Sequence, residues 1–181
     1  MTPMDVEKIF RSQQSFFRTQ KTKEVSFRKE NLLKLKNILK ANEDQLNEAI
    51  FKDFSKSAFE TYMTELALVY NEIDYFVKHL SRLSKPRKAA TNLANFPGKS
   101  YIYSEPFGCT LIIGAWNYPY QLTLLPMATA MAAGNTCIVK PSELPENTMK
   151  IMAELINSNF PPEYLYVVQG GVEETTEILQ W

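Results

Sequence analysis

The first 97 residues contain no glycine, and all six glycines of this 181-residue chain fall at or after Gly98. Glycine is the residue that most weakens helices and most readily takes positive φ, so a long stretch without it favours continuous helix. Charge divides at nearly the same place. Residues 1 to 100 carry 18 basic and 12 acidic side chains, while 101 to 181 carry 2 and 8, so the formal net charge of zero conceals two unlike halves. A balanced total leaves no overall basic field to hold a nucleic-acid backbone or an anionic membrane surface, and nucleic acid is not an expected partner. One histidine and two cysteines, Cys109 and Cys137, which lack CxxC spacing, cannot supply a zinc site or a disulfide framework. The N-terminus is charged and amphipathic without an apolar h-region, and the longest apolar stretch, Leu122 to Ala133, is short and interrupted by Pro126. These features predict a soluble cytoplasmic protein with no membrane segment and enough apolar residues for a real core.

Local signals in the first half predict four helices. Thr2, Pro3 and Asp5 mark the start of one running towards Thr19, with Val6, Ile9, Phe10, Gln13 and Phe17 on one face. A second spans Ser26 to Ala41, with Leu32, Leu35, Ile38 and Leu39 inward and Lys34, Lys36 and Lys40 towards solvent. Asn42 and Gln45 form a capping-box pattern for a third, ending near Asp53, and Ser57 and Glu60 form another for a long fourth that ends near Pro86. The fourth carries a stripe of Phe59, Tyr62, Met63, Leu66, Tyr70, Ile73, Phe76, Val77 and Leu80, whose spacing predicts core.

Beyond Pro86 the pattern becomes short and β-prone around Asn95, Pro97 and Gly98, followed by the alternating run 99–104, which predicts a projecting hairpin. From Cys109 the chain reads apolar run, helix, apolar run, helix, apolar run: Cys109 to Ile113, Leu122 to Ala133, Thr136 to Val139, Asn147 to Asn157, and Leu165 to Val168. The expected fold class is therefore α/β: a helical segment over 1–85, a hairpin arm over 86–107, and the first βαβαβ half of a Rossmann-like parallel sheet over 108–181, covered on both faces.

Ligands of such sheets gather beyond the carboxyl ends of the strands, which singles out three loops. The first, Gly114-Ala115-Trp116-Asn117-Tyr118-Pro119-Tyr120, packs an indole, an amide and two phenols into a strand-to-helix turn. Either Asn117 caps the next helix and Trp116 anchors packing, or the amide donates to an oxygen that turns negative in acyl-type chemistry. The second, Lys140-Pro141-Ser142-Glu143, holds an ammonium and a carboxylate suited to neighbouring ribose hydroxyls; the alternative is helix initiation by Ser142, Pro145 and the nearby glutamates. A charge placed directly after a buried strand is expected to reach the crevice or solvent. Gly170-Gly171 is the third loop, allowing close backbone approach before another helix. No GxGxxG follows the first strand of this half and no P-loop occurs, so a nucleotide would be held differently. Cys109 and Cys137 are expected to be structural thiols, and His79 structural on the long helix.

Glu105-Pro106-Phe107-Gly108, Gly114 to Pro119, Ala133-Gly134-Asn135, Lys140 to Glu143 and Gly170-Gly171-Val172 occur in the order and spacing of aldehyde dehydrogenases. The chain resembles that family over nearly its whole length. Glu60-Thr61-Tyr62 and Gly171-Val172-Glu173-Glu174 bring it near the class 3-like, fatty-aldehyde branch. The resemblance implies that Asn117 donates to the oxyanion of a thiohemiacetal, that Lys140 and Glu143 bind the adenosine ribose of NAD, with NADP possible, and that Ile113, Trp116, Ser142, Gly170 and Gly171 lie near the cofactor. It further implies an aldehyde substrate and a homodimer. The family's glycine-rich loop, general-base Glu and nucleophilic Cys motifs do not occur in these residues, so an N-terminal fragment, inactive alone, is expected. Two alternatives remain: a non-catalytic nucleotide-binding or oligomerisation module, and an acyl-phosphate or acyl-CoA reductase of the same superfamily.

Overall fold

The structure, a computed structural model, describes residues 6–180. The proposed start signals Thr2, Pro3 and Asp5 lie outside the described residues. The glycine-free half forms α1 (Val6–Arg18), α2 (Val25–Ala41), α3 (Glu43–Phe54), α4 (Ala58–Thr61) and α5 (Ala67–Leu83). A two-stranded antiparallel arm follows, β1 (Arg87–Ala89) and β2 (Ser100–Ile102). The remainder alternates β3 (Cys109–Ile113), α6 (Pro119–Ala133), β4 (Thr136–Lys140), α7 (Glu146–Asn157), β5 (Leu165–Val167) and α8 (Val172–Ile178). β3, β4 and β5 form a parallel sheet in that order, as the unalternated apolar runs require.

The sheet is covered on both faces, and the pleat shows which helix covers which. Ile112, Cys137, Val139, Leu165 and Val167 join a large buried cluster with side chains of α2, α3, α5, α6 and α7. Ile138 and Val168 join a smaller one with Val6 and Ile9 of α1 and Ile178 of α8. The larger cluster runs from Leu32 to Val167 and so spans both halves of the chain. β4, between its two neighbours, is buried at every position.

Gln13 explains why a polar residue shares the apolar face of α1. Fully buried, it donates from Nε2 to Cys137 O at 2.9 Å and Pro162 O at 3.0 Å, while the Cys109 thiol donates to its Oε1 at 3.2 Å. One side chain thus satisfies polar groups of β3, β4 and the segment before β5.

Three sequence expectations need correction. Asn42 does not cap α3: its side-chain amide turns back and donates to Ile38 O at 2.8 Å, a local bond that competes with capping. The core stripe on the fourth helix also fails at its start, where Phe59 (77% exposed), Tyr62 and Met63 face outward. Between α4 and α5 lies a π-helical turn, Tyr62–Leu66, in which the Ala67 N–H donates to Tyr62 O five residues back. The extra residue shifts the register by one, so Thr61 and Glu65 enter the core in place of Phe59, Tyr62 and Met63. Ser57 does cap as expected, accepting from the Glu60 N–H at 3.2 Å. Lys36, expected in solvent, closes on Asp74 at 2.5 Å.

Replacing Gln13 by alanine takes this partner from Pro162 O and the Cys109 thiol and removes the second donor of Cys137 O, which keeps its place in the β4–β5 ladder. The variant should lose about 2–3 kcal/mol of unfolding free energy, read as a lower urea midpoint at unchanged m-value.

Candidate active site

The carboxyl ends of the three parallel strands are level. Ile113 pairs with Lys140 and Val139 with Val167; the Gly114 N–H donates to Lys140 O at 2.9 Å, and the Val168 N–H to Val139 O at 2.8 Å. The loops carrying Asn117, Lys140 to Glu143 and Gly170-Gly171 therefore leave one edge of the sheet together. Cys109 sits at the opposite end of β3, and His79 stacks beside Tyr75 on α5.

The first loop leaves β3 through Gly114, which packs so closely on α6 that a Cβ there would lie 2.0 Å from Thr123 Oγ1. Only glycine allows this approach. Trp116 is 55% exposed and Ile113 is also exposed, so neither anchors packing. Asn117 does not cap α6: the helix begins at Pro119 with Tyr118 in the cap position, and no side chain of the loop accepts from its first N–H groups. Those N–H groups go instead to Glu65, whose Oε2 accepts from Tyr120 N at 2.7 Å and Gln121 N at 3.2 Å. The Asn117 side chain is left exposed and makes no hydrogen bond among the described residues.

The second loop departs from expectation in one respect. Lys140 reaches neither solvent nor an open crevice; it is 1% exposed, with Nζ donating to Pro141 O at 2.7 Å and lying 3.6 Å from Glu143 Oε2. A buried ammonium needs such partners, and the loop folds back to provide them. Glu143 remains exposed at the edge, and Ser142 Oγ accepts from the Leu144 N–H at 3.3 Å. In the third loop Gly170 adopts φ +145°, where a Cβ would also collide with Glu174 at 2.4 Å. Glu174 caps α8 by accepting from the Gly171 N–H at 2.7 Å, whereas the space beside Gly171 is open.

Carboxylates thus occupy the start of each helix in this half. Asp53, from the end of α3, serves α7: its Oδ1 accepts from Asn147 N and Nδ2 at 3.2 and 2.8 Å, and its Oδ2 from Thr148 N and Oγ1 at 2.7 and 2.6 Å. A helix N-terminus is the usual phosphate cradle of a doubly wound sheet, and here all three are filled by protein carboxylates. The absence of GxGxxG has this physical counterpart. The groups open to a dinucleotide at this edge are the exposed Glu143, Ile113 and Trp116 and the backbone at Gly171, with the Lys140 ammonium enclosed just behind them; that set would suit the ribose and ring portions of such a cofactor and not its phosphates. Among the described residues no cluster of His, Cys, Asp or Glu could hold a metal ion. No helix there is long and apolar enough to cross a membrane.

Sequence reasoning missed Glu65, Asp53 and Lys56. Glu65 interrupts an apolar stripe whose α-helical phase hides it, and only the π turn brings it inward. Asp53 stands at the end of α3 and Lys56 in the short connection to α4, both of which read as an ordinary helix end.

Burial pushes both thiols up, that of Cys137 to about 12 despite a hydrogen bond from Thr110, so thiolate is scarce at neutral pH. In the folded protein both should resist iodoacetamide at pH 7.5 and react once urea unfolds the chain. Desolvation pushes the Asp53 carboxyl up, but the hydrogen bonds from Thr148 and Asn147 outweigh it and hold it below the usual range. Its stabilisation is therefore present above the ordinary aspartate pKa and is lost as pH falls through the lower folded value. Asp53→Asn should flatten the acid limb of the stability curve measured by urea unfolding.

The sequence matches the aldehyde dehydrogenase family over residues 1–180. It is 42% identical over 174 residues to the 4,4'-diaponeurosporen-aldehyde dehydrogenase of Staphylococcus aureus, covering 96% of this chain and 38% of that protein. It is 43% identical over 164 residues to aldehyde dehydrogenase family 3 member A2 of Rattus norvegicus, covering 91% and 34%. The fold superposes with a TM-score of 0.95 on the substrate-bound state of Staphylococcus aureus AldH, at 42% identity, covering 98% of this chain and 39% of that one. The chain thus spans little more than a third of the length of these relatives. With a family match over nearly its whole length and relatives above 40% identity, the chain belongs to the aldehyde dehydrogenase family, among its class 3-like members.

Proposed function

We propose that this chain is the N-terminal part of an NAD(P)-dependent aldehyde dehydrogenase that oxidises aldehydes to carboxylic acids, and that Asn117 is its oxyanion donor. The observation that carries this reading is the Asn117 amide, exposed at the strand edge with no hydrogen-bond partner among the described residues while its backbone carbonyl accepts from Lys56. When a thiolate supplied by another part of the enzyme attacks the aldehyde carbonyl, charge develops on the oxygen. A preorganised N–H donor then contributes more to the transition state than to the ground state. The bound nicotinamide cofactor supplies the hydride acceptor. Lys140 would hold one ribose hydroxyl of the cofactor on giving up its bond to Pro141 O, Glu143 would accept from the neighbouring one, and Ile113, Trp116, Ser142, Gly170 and Gly171 would border the same cofactor. A carboxylate at Glu143 disfavours a 2′-phosphate, which supports NAD over NADP, with Lys140 softening the preference.

The arm of β1 and β2 carries Leu93 and Phe96, both more than 80% exposed, which supports pairing with a second copy in a homodimer. Two unpaired cysteines suit a reducing, cytoplasmic setting.

In the complete enzyme, Asn117→Ala should slow the chemical step about 10²–10³-fold with cofactor affinity retained. Lys140→Ala should raise the cofactor Kd with a smaller effect on the chemical step. Stopped-flow NADH formation and fluorescence titration separate the two, and equal losses in rate and affinity for Asn117→Ala would reduce the amide to a structural part.

A further inference from the structure

The loop bearing Asn117 is held by charges that belong to neither the loop nor its helix. Lys56, between α3 and α4, places Nζ 2.6 Å from Glu65 Oε1, and the pair is almost entirely enclosed, with side-chain exposures of 11% and 0%. The other oxygen of Glu65 accepts from the Tyr120 and Gln121 N–H groups that open α6. The same ammonium stands 4.3 Å from the centre of the Tyr118 ring and donates to Asn117 O at 3.4 Å. Tyr120 is pinned in turn, its phenol donating to Leu46 O at 2.7 Å. Backbone at 117, ring at 118 and N–H groups at 120 and 121 are therefore gripped by one ion pair.

A serine or aspartate at the cap position would satisfy the same helix start locally and with no buried charge. Burying a carboxylate instead carries a desolvation penalty that only close pairing offsets. The fourth helix also admits a π turn, a feature concentrated at functional sites, and that turn is what rotates Glu65 inward. Such an arrangement secures position more than stability.

Resting on the reading of Asn117 given above, we propose that Lys56 and Glu65 are positioning residues, holding the Asn117–Tyr118 backbone so that the amide points at the developing oxyanion. Lys56 contacts neither reacting atoms nor cofactor in this role; it acts through Asn117.

The test is a double-mutant cycle in the complete dehydrogenase, read as the single-turnover rate of NADH formation and the cofactor Kd. Lys56→Met should slow the chemical step about tenfold or more at unchanged Kd, because small misplacements of a catalytic group are costly, and Lys56→Arg should recover most of the rate. In an Asn117→Ala background Lys56→Met should have little further effect. If the two losses multiply, or if Lys56→Met leaves the rate unchanged, the pair is only structural and the proposal is overturned. Should Lys56→Met not fold, Lys56→Gln, which can still donate to Glu65, carries the same expectations and the same refutation. An Asn117→Ala enzyme with normal chemistry would instead overturn the oxyanion reading, and with it the premise of this role.

Discussion

Helix α6 is clamped at both ends by charges from the other half of the chain. Glu65 accepts from the N–H groups of its first turn, and Arg28, buried in α2, donates to Ala132 O in its last turn at 3.0 Å. The negative group sits at the positive end of the helix dipole and the positive group at the negative end, and each satisfies a backbone group that the helix cannot satisfy itself. Desolvation is the main influence on Arg28 and lowers its pKa, yet its guanidinium finds a second carbonyl at Lys23 O, 2.7 Å away. Since α6 has no charged residue of its own and is enclosed by α2, α5 and the sheet, these two contacts set its position along its axis.

The site inherits its placement from that clamp. Gly114 lies against Thr123 of α6, so the first loop can leave β3 only where α6 permits. The level register of β3 and β4 then puts the lysine–glutamate loop on the same edge. Asp53 repeats at α7 what Glu65 does at α6, so the helical segment supplies the carboxylates that an ordinary nucleotide-binding sheet would leave for phosphate. The helices before the arm are thus part of how the edge is built, and the core that runs from Leu32 to Val167 expresses the same dependence in apolar terms.

Much of this was legible from residue order. The absence of glycine before Gly98 marked the helices, unalternated apolar runs marked the parallel strands, and the composition of the loops after Ile113, Val139 and Val168 marked the edge. Misreadings occurred where a local rule met a competing partner. Asn42 had a capping partner by spacing and chose a carbonyl one turn back. Met63 and Tyr62 had the correct α-helical phase for core and lost it to one inserted residue. Lys140 looked bound for open space because a charge at the end of a buried strand is costly, but Pro141 O and Glu143 compensate it within four residues.

What the order of residues determines by itself is periodic and local: which segments are helix or strand, where the halves meet, and which loops carry chemistry-bearing side chains. Those properties follow from backbone propensity and hydrophobic spacing, which act over a few residues. Tertiary structure alone decided that the Asn117 side chain has no partner among the described residues while Glu65 does the capping, that Asp53 closes the next helix, and that Lys56 reaches 61 residues along the chain to the Asn117 carbonyl. Each of these depends on how a buried charge finds its compensation, and the partner a charge finds is set by packing between distant segments rather than by its neighbours in sequence.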